Sequence, residues 1–219
     1  TPSHFSSSSL RLTNVSVTLL IEQLLNGVQL GTMLFLMASG LTLVFGVMGL
    51  INLAHGSFYM VGAYATAAVT ASTGSFLIGL GAGMAAAAMV GALVELLVIR
   101  RLYHRPHLDQ VLATFALILI FSEGTRWLFG SSPLWLSPPS WLTGFVTLPG
   151  ETRYPIYRLM LIGVGIAIAI GLYLLISRTR LGMRIRAGES DREMIGALGV
   201  NIAKLYTVVF ALGAALAGL

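Results

Sequence analysis

From Leu24 to Ala71 the chain contains no Asp, Glu, Lys or Arg. One helix crosses a bilayer in about 20 residues, so this run is long enough for two crossings and must fold back on itself. The break expected is the glycine-marked stretch Gly46-Val-Met-Gly-Leu-Ile-Asn-Leu-Ala-His-Gly56. It separates a helix over roughly 24–46 from another over roughly 57–73, with 15–23 as an amphipathic lead-in carrying Glu22 and Gln23. Composition agrees. Hydrophobic residues make up 56% of the 219-residue chain and charged residues 10%, against roughly 25% charged in a soluble domain. So few polar side chains cannot coat a soluble globule, and disorder would need the opposite balance. The fold class expected is all-α: a polytopic transmembrane helical bundle. With no cysteine, disulfides, iron–sulfur clusters, thiolate zinc sites and cysteine nucleophiles are excluded.

Further helices are expected over Phe76–Ile99, Val111–Gly130 and Tyr157–Ile176, with another apolar run from Leu205 to Leu219. Between them, 131–156 holds five of the seven prolines together with Trp135 and Trp141, an interfacial loop rather than a span. The first fourteen residues are Ser-rich and carry only Arg11, which is not the pattern of a cleavable signal peptide. The net charge is +5. Nine of the thirteen basic residues fall in 100–107 and 177–204, two segments separated by two spans. The charge is therefore the cytoplasmic bias of a membrane protein and not a nucleic-acid surface. It puts 177–203 inside and the 131–156 loop outside; the side of the amino terminus depends on how deep the 46–56 break lies.

Several chemistries are absent. Lys204, the sole lysine, is not in a phosphate-cradling loop, so any ATP is hydrolysed elsewhere. His104 and His107 flank Pro106 without an acidic ligand, which is no metal site. The series Gly79, Gly83, Ala87, Gly91 makes a smooth face for helix packing, and Gly27 with Gly31 repeats the pattern. Glu95 and Arg100, and Glu123 and Arg126, are spaced to pair.

Two features stand out. Asn52 and His55 are polar groups inside the break, beside Gly56. They either line a polar path through the membrane or simply cap helix ends at a tight turn. The second feature is the polar segment 177–203. Ser190 is placed to cap a short helix there, with Asp191 and Glu193 at its positive end. Met194, Ile195 and Leu198 would share an exposed apolar face, with Gly199 and Asn201 ending the helix. That face suits docking of a soluble partner or contact with lipid headgroups.

The chain resembles the permease subunits of bacterial branched-chain amino acid (Leu/Ile/Val) ABC transporters, the shorter of the two permease types. The stretches that carry the resemblance are Asn26-Gly27, Ser39 to Gly46, Gly49 to Gly56, Arg105 to Thr114, and Ser177 to Arg184 with Leu198 to Asn201. The resemblance implies one permease domain over 1–219 in the bacterial inner membrane, continuing in family members into further helices beyond the equivalent of Leu219. A second permease subunit would complete the pore. Two cytoplasmic ATP-binding subunits would hold ATP and Mg, with no cofactor in this chain. A periplasmic substrate-binding protein would deliver the solute. The family's coupling helix reads Glu-Ala-Ala-x-x-x-Gly. Glu193 and Gly199 keep that spacing, while Met194 and Ile195 replace the alanines and the downstream Leu-Pro is missing. The resemblance implies alternating access driven by the ATPases, with Asn52, His55 and Gly56 in the substrate path and Glu193, Met194, Ile195, Leu198 and Gly199 at the ATPase. Related permeases carry urea, short amides or other small solutes. A stand-alone channel or secondary carrier, or a purely structural subunit, would leave the docking helix without a purpose.

Overall fold

The computed structural model describes residues 6–132, 134–136, 139–147 and 153–219, with the side chains of 6–18 and 192 excepted. Thr1–Phe5, and Pro133, Pro138 and Pro149 of the proline-rich loop, lie outside the described residues, as do the side chains of Arg11 and Arg192.

Eight α-helices follow one another among the described residues. They are α1 (Ser6–Met48), α2 (His55–Thr73), α3 (Phe76–Leu97), α4 (His107–Phe129), α5 (Ile156–Arg178), α6 (Arg180–Ser190), α7 (Arg192–Ala197) and α8 (Ile202–Ala217). Four stretches, Leu19–Met48, Phe76–Leu97, His107–Phe129 and Ile156–Arg178, are long and apolar enough to cross a membrane. They satisfy every interior backbone group within the segment, as lipid requires. The expected lead-in at 15–23 is no separate element, because α1 runs through it unbroken. The expected loop 131–156 is partly structured. A 3-10 turn at Ser140–Leu142 precedes an antiparallel ribbon, β1 (Phe145–Thr147) and β2 (Arg153–Pro155), with Val146 opposite Tyr154.

The chain forms two compact units. One comprises Thr1–Phe35 and Ser137–Ile168. Within it, Asn26 accepts from Arg158 Nη1 at 2.6 Å and from the Tyr154 hydroxyl at 3.4 Å. Tyr154 is buried there.

The other unit comprises Leu36–Leu136 and Ala169–Leu219, and holds the main apolar core around Val44, Val47, Leu50, Phe58, Val209 and Phe210. Phe58 meets Phe121 and Phe210 edge to face, with ring centroids 6.0 and 5.6 Å apart. The small-residue face of α3 packs as its spacing predicts: Gly79, Gly83, Ala87 and Gly91 are all buried. A methyl added at Gly83 would lie 2.7 Å from the Gly62 carbonyl, and one at Gly91 would strike Ala214. Helices α2, α3 and α8 therefore pack on one another through small residues. At Gly27 and Gly31 no such packing is seen, since nothing among the described residues lies within 4 Å of a methyl at either.

Candidate functional site

Helix α1 stops at Gly49, whose φ of +64° is left-handed and comfortable only for glycine. Its N–H still reaches the Phe45 carbonyl at 2.8 Å. The next residues lead into a turn at Leu53–Ala54, with Leu50, Asn52 and Ala54 buried and Ile51 and Leu53 exposed. The Asn52 side-chain oxygen accepts from the Ala54 N–H at 3.1 Å, a local turn that fixes its amide plane. His55 opens α2. Its Nε2 sits 3.1 Å from the Met37 carbonyl on α1, so that nitrogen donates and Nδ1 is left as an acceptor. The ring lies beside Gly40, where a methyl would be 3.1 Å from His55 Cε1 and 2.5 Å from the Gly213 carbonyl. Asn52 and His55 are 3% and 4% exposed. Yet Asn52 Nδ2 and His55 Nδ1 have no hydrogen-bond partner among the described residues. Buried polar atoms are ordinarily paired. Each residue thus spends one polar atom on the backbone and keeps another without a partner among the described residues. Gly56 has open space at its Cβ position.

The 177–203 segment holds two helices where one was expected. Thr179 caps α6 by accepting from the Gly182 N–H at 3.0 Å. Ile185 and Gly188 of α6 turn inward, while Arg180, Arg184 and Arg186 point out. Asp191, not Ser190, caps α7, accepting from the Met194 N–H at 2.9 Å; Ser190 closes α6. Glu193 lies in the first turn of α7. Gly199, with φ +85°, ends it, and Asn201 starts α8 by accepting from the Lys204 N–H at 2.9 Å. Met194 and Leu198 are 62% and 74% exposed. Ile195 is 7% exposed, which corrects the expected three-residue face. Helix α7 has only six residues and is tied closely to α8, so one side of it must be buried. Beside the junction, Arg184 and Lys204 flank a cleft of about 210 Å³.

At the end of α3, Glu95 is wholly buried. It accepts from Arg100 Nε at 3.2 Å, from Arg100 Nη2 at 3.3 Å, from the Tyr103 hydroxyl, and from Thr207 Oγ1 of α8 at 2.7 Å. Burial, and then the bond to Glu95, push the Tyr103 phenol well above its ordinary range, so it stays a donor. The sequence pattern reaches Glu95 and Arg100 but not Tyr103 or Thr207.

Comparison with known proteins decides what these parts belong to. The family described as branched-chain amino acid transport system / permease component matches residues 23–219. This chain belongs to that family. Relatives include the high-affinity branched-chain amino acid transport system permease protein BraD of Pseudomonas aeruginosa, 32% identical over 90% of this chain and 68% of its own length. LivH of Escherichia coli, with the same description, is 29% identical over the same shares. A putative glucose ABC transporter permease of Haloferax volcanii is 30% identical over 87% of this chain and 58% of its own length. No solved structure matches. The protein is a permease, a multi-pass membrane component of a transport system with other subunits. Within the permease, the break residues and the α7 residues both belong to the larger unit, and α8 packs on α7 and, through Gly213, on Gly40 beside the His55 ring.

Proposed function

We propose that this permease moves branched-chain amino acids across the bacterial inner membrane. Two cytoplasmic partner subunits would supply the energy by hydrolysing ATP with Mg. A second permease subunit would complete the pore, and a periplasmic binding protein would deliver the solute. The names of BraD and LivH support the substrate class. The observation that carries the mechanism is α7. A capped helix offering Met194 and Leu198 to solvent, with Glu193 and Gly199 at its ends, suits a soluble partner better than lipid, because the exposed pair is too small to anchor in a bilayer. Ile195 supports it from beneath.

In the path itself, Asn52 Nδ2 offers a donor that suits a carboxylate and His55 Nδ1 an acceptor that suits an ammonium. Gly56 follows them at an exposed position with open space at its Cβ. The surrounding core is apolar, as an aliphatic side chain requires.

Uptake of labelled leucine into vesicles holding the complete complex tests this. ATP-dependent uptake in wild type, with loss of the ATPase pair from a Leu198→Glu variant, is the expected result. Uptake without ATP would make the chain a carrier or channel instead. A second reading is another small solute, favoured by the relative named for glucose. Competition by glucose, urea or short amides, but not by leucine or valine, would select it.

A further inference from the structure

Glu95 is buried and ionisable, and the transport reading gives it no task. Its partners divide α8 into two unlike halves. At the end nearer α7, Thr207 donates to Glu95, while Arg100 donates to Thr207 Oγ1 at 2.8 Å and to the Ala203 carbonyl at 3.5 Å. These bonds are directional, and in a dry site leaving one unmade is costly. Phe210 packs edge to face on Phe58 in the middle of α8, and beyond it the small residues meet: Ala214 on Gly91, Gly213 on Gly40 and, just past the helix end, Gly218 on Ala87. Such contacts bring the backbones close without interlocking side chains or directional bonds, and packed helices can slide past one another by small amounts.

A helix held by directional bonds at one end and by smooth contacts at the other swings more easily than it slides. Only residues 198–201 separate α7 from α8, so a push on α7 arrives at the held end. At the smooth end, Gly213 lies against Gly40, the glycine beside the His55 ring. We propose that Glu95, acting through Thr207, is a positioning residue that makes the α7-proximal end of α8 a pivot, so that motion at α7 swings the far end of α8 past Gly40 and the break. This rests on the reading that ATPase subunits push on α7. Glu95 itself meets no substrate.

The chain has no cysteine, so paired labels can be placed in it at chosen positions and the transporter then assembled in lipid vesicles with partner subunits made cysteine-free. One pair, Leu97→Cys with Lys204→Cys, spans the pivot. The other, Ala85→Cys with Ala215→Cys, spans the smooth half. On addition of ATP and Mg the first distance should hold and the second should change by about 2 Å or more, the scale of ordinary helix shifts. Equal movement in both pairs, movement in the first alone, or none in either overturns the pivot. In the same vesicles, Thr207→Val should keep assembly and basal ATP hydrolysis but lower solute moved per ATP by about fivefold or more. Thr207→Ser, which restores the hydroxyl, should recover it. A wild-type ratio in Thr207→Val also overturns the proposal. If Thr207→Val fails to assemble, the label pairs decide, since they leave the network intact. Wild-type complex that hydrolyses ATP without moving any solute would bring down the transport reading itself, and the pivot with it.

Discussion

Two ion pairs in this permease have the same length and opposite surroundings. Arg100–Glu95 and Arg126–Glu123 both close at 3.2 Å. In the first, Glu95 is fully buried and Arg100 is 37% exposed; in the second, both side chains are about 70% exposed. Distance therefore decides little. Burial and the further donors on Glu95 decide what the pair does, because exposed pairs are screened and flexible while a buried carboxylate must have every lone pair answered. Asn52 and His55 form a third case, buried and incompletely answered. Full satisfaction suits a fixed point of the fold; incomplete satisfaction suits a place where a ligand or water completes the set.

The sharpest way to break this comparison is Glu95→Ala. It strips Arg100, Tyr103 and Thr207 of one shared acceptor. Removing one partner of a buried pair costs about 3–5 kcal/mol, and partial exposure of Arg100 puts the loss near about 3 kcal/mol. The thermal unfolding temperature in detergent should fall further than for a methyl added to the core or a charge removed from the surface. Pairing Glu95→Gln with Arg100→Met removes both charges and should recover much of the loss. If Glu95→Ala unfolds like wild type, burial is not what distinguishes the two pairs.

Next comes Gly40→Ala, which tests whether the incompletely answered site is tightly held. A methyl there meets the Gly213 carbonyl at 2.5 Å and the His55 ring at 3.1 Å. Backbone cannot yield as a side-chain tip can, so overpacking of about 1–3 kcal/mol follows, read by the same unfolding measurement. Gly27→Ala is the control: with open space around it, it should be neutral or gain up to about 1 kcal/mol from helix propensity.

That contrast also marks what the sequence can and cannot disclose. Gly27-xxx-Gly31 and Gly79-xxx-Gly83 have the same spacing, but spacing specifies a smooth face and not what lies against it. The break was legible because an uncharged run of that length must turn, and a glycine pair inside it offers the turn. Glu95 and Arg100 were legible because five residues of helix and 3-10 turn bring them together. Thr207 was not, because its partner lies 112 residues away and only the packing of α3 on α8 joins them. The inward turn of Ile195 has the same cause: apolar spacing marked one face of α7, and α7 packs on α6 and α8, which spacing does not disclose.

His55→Ala and Asn52→Ala sharpen the third case. Each removes both polar atoms of a neutral side chain, the one bonded to the backbone and the free one, and a hydrogen bond made by the free one is worth about 1 kcal/mol. Leucine uptake at matched expression should fall about five- to tenfold, with the assembled complex still recovered. Full uptake in both variants would mean that the free atoms are answered by nothing that matters for transport, and would leave the two residues with only their structural bonds, Asn52 to the Ala54 N–H and His55 to the Met37 carbonyl.

The smallest effect belongs to Glu123→Gln. Its partner Arg126 sits one turn away on α4 with its side chain 68% exposed, and an i,i+3 pair on a helix surface contributes about 0.2–0.5 kcal/mol. Neither residue makes another side-chain bond among the described residues. Arg126 also stays in the last turn of α4, where a cation is favoured by the helix dipole whether or not Glu123 is charged. Unfolding temperature and uptake should both stay within error of wild type. A large loss would show that something absent from the isolated chain covers this face, and would move the pair from the screened class into the same class as Glu95.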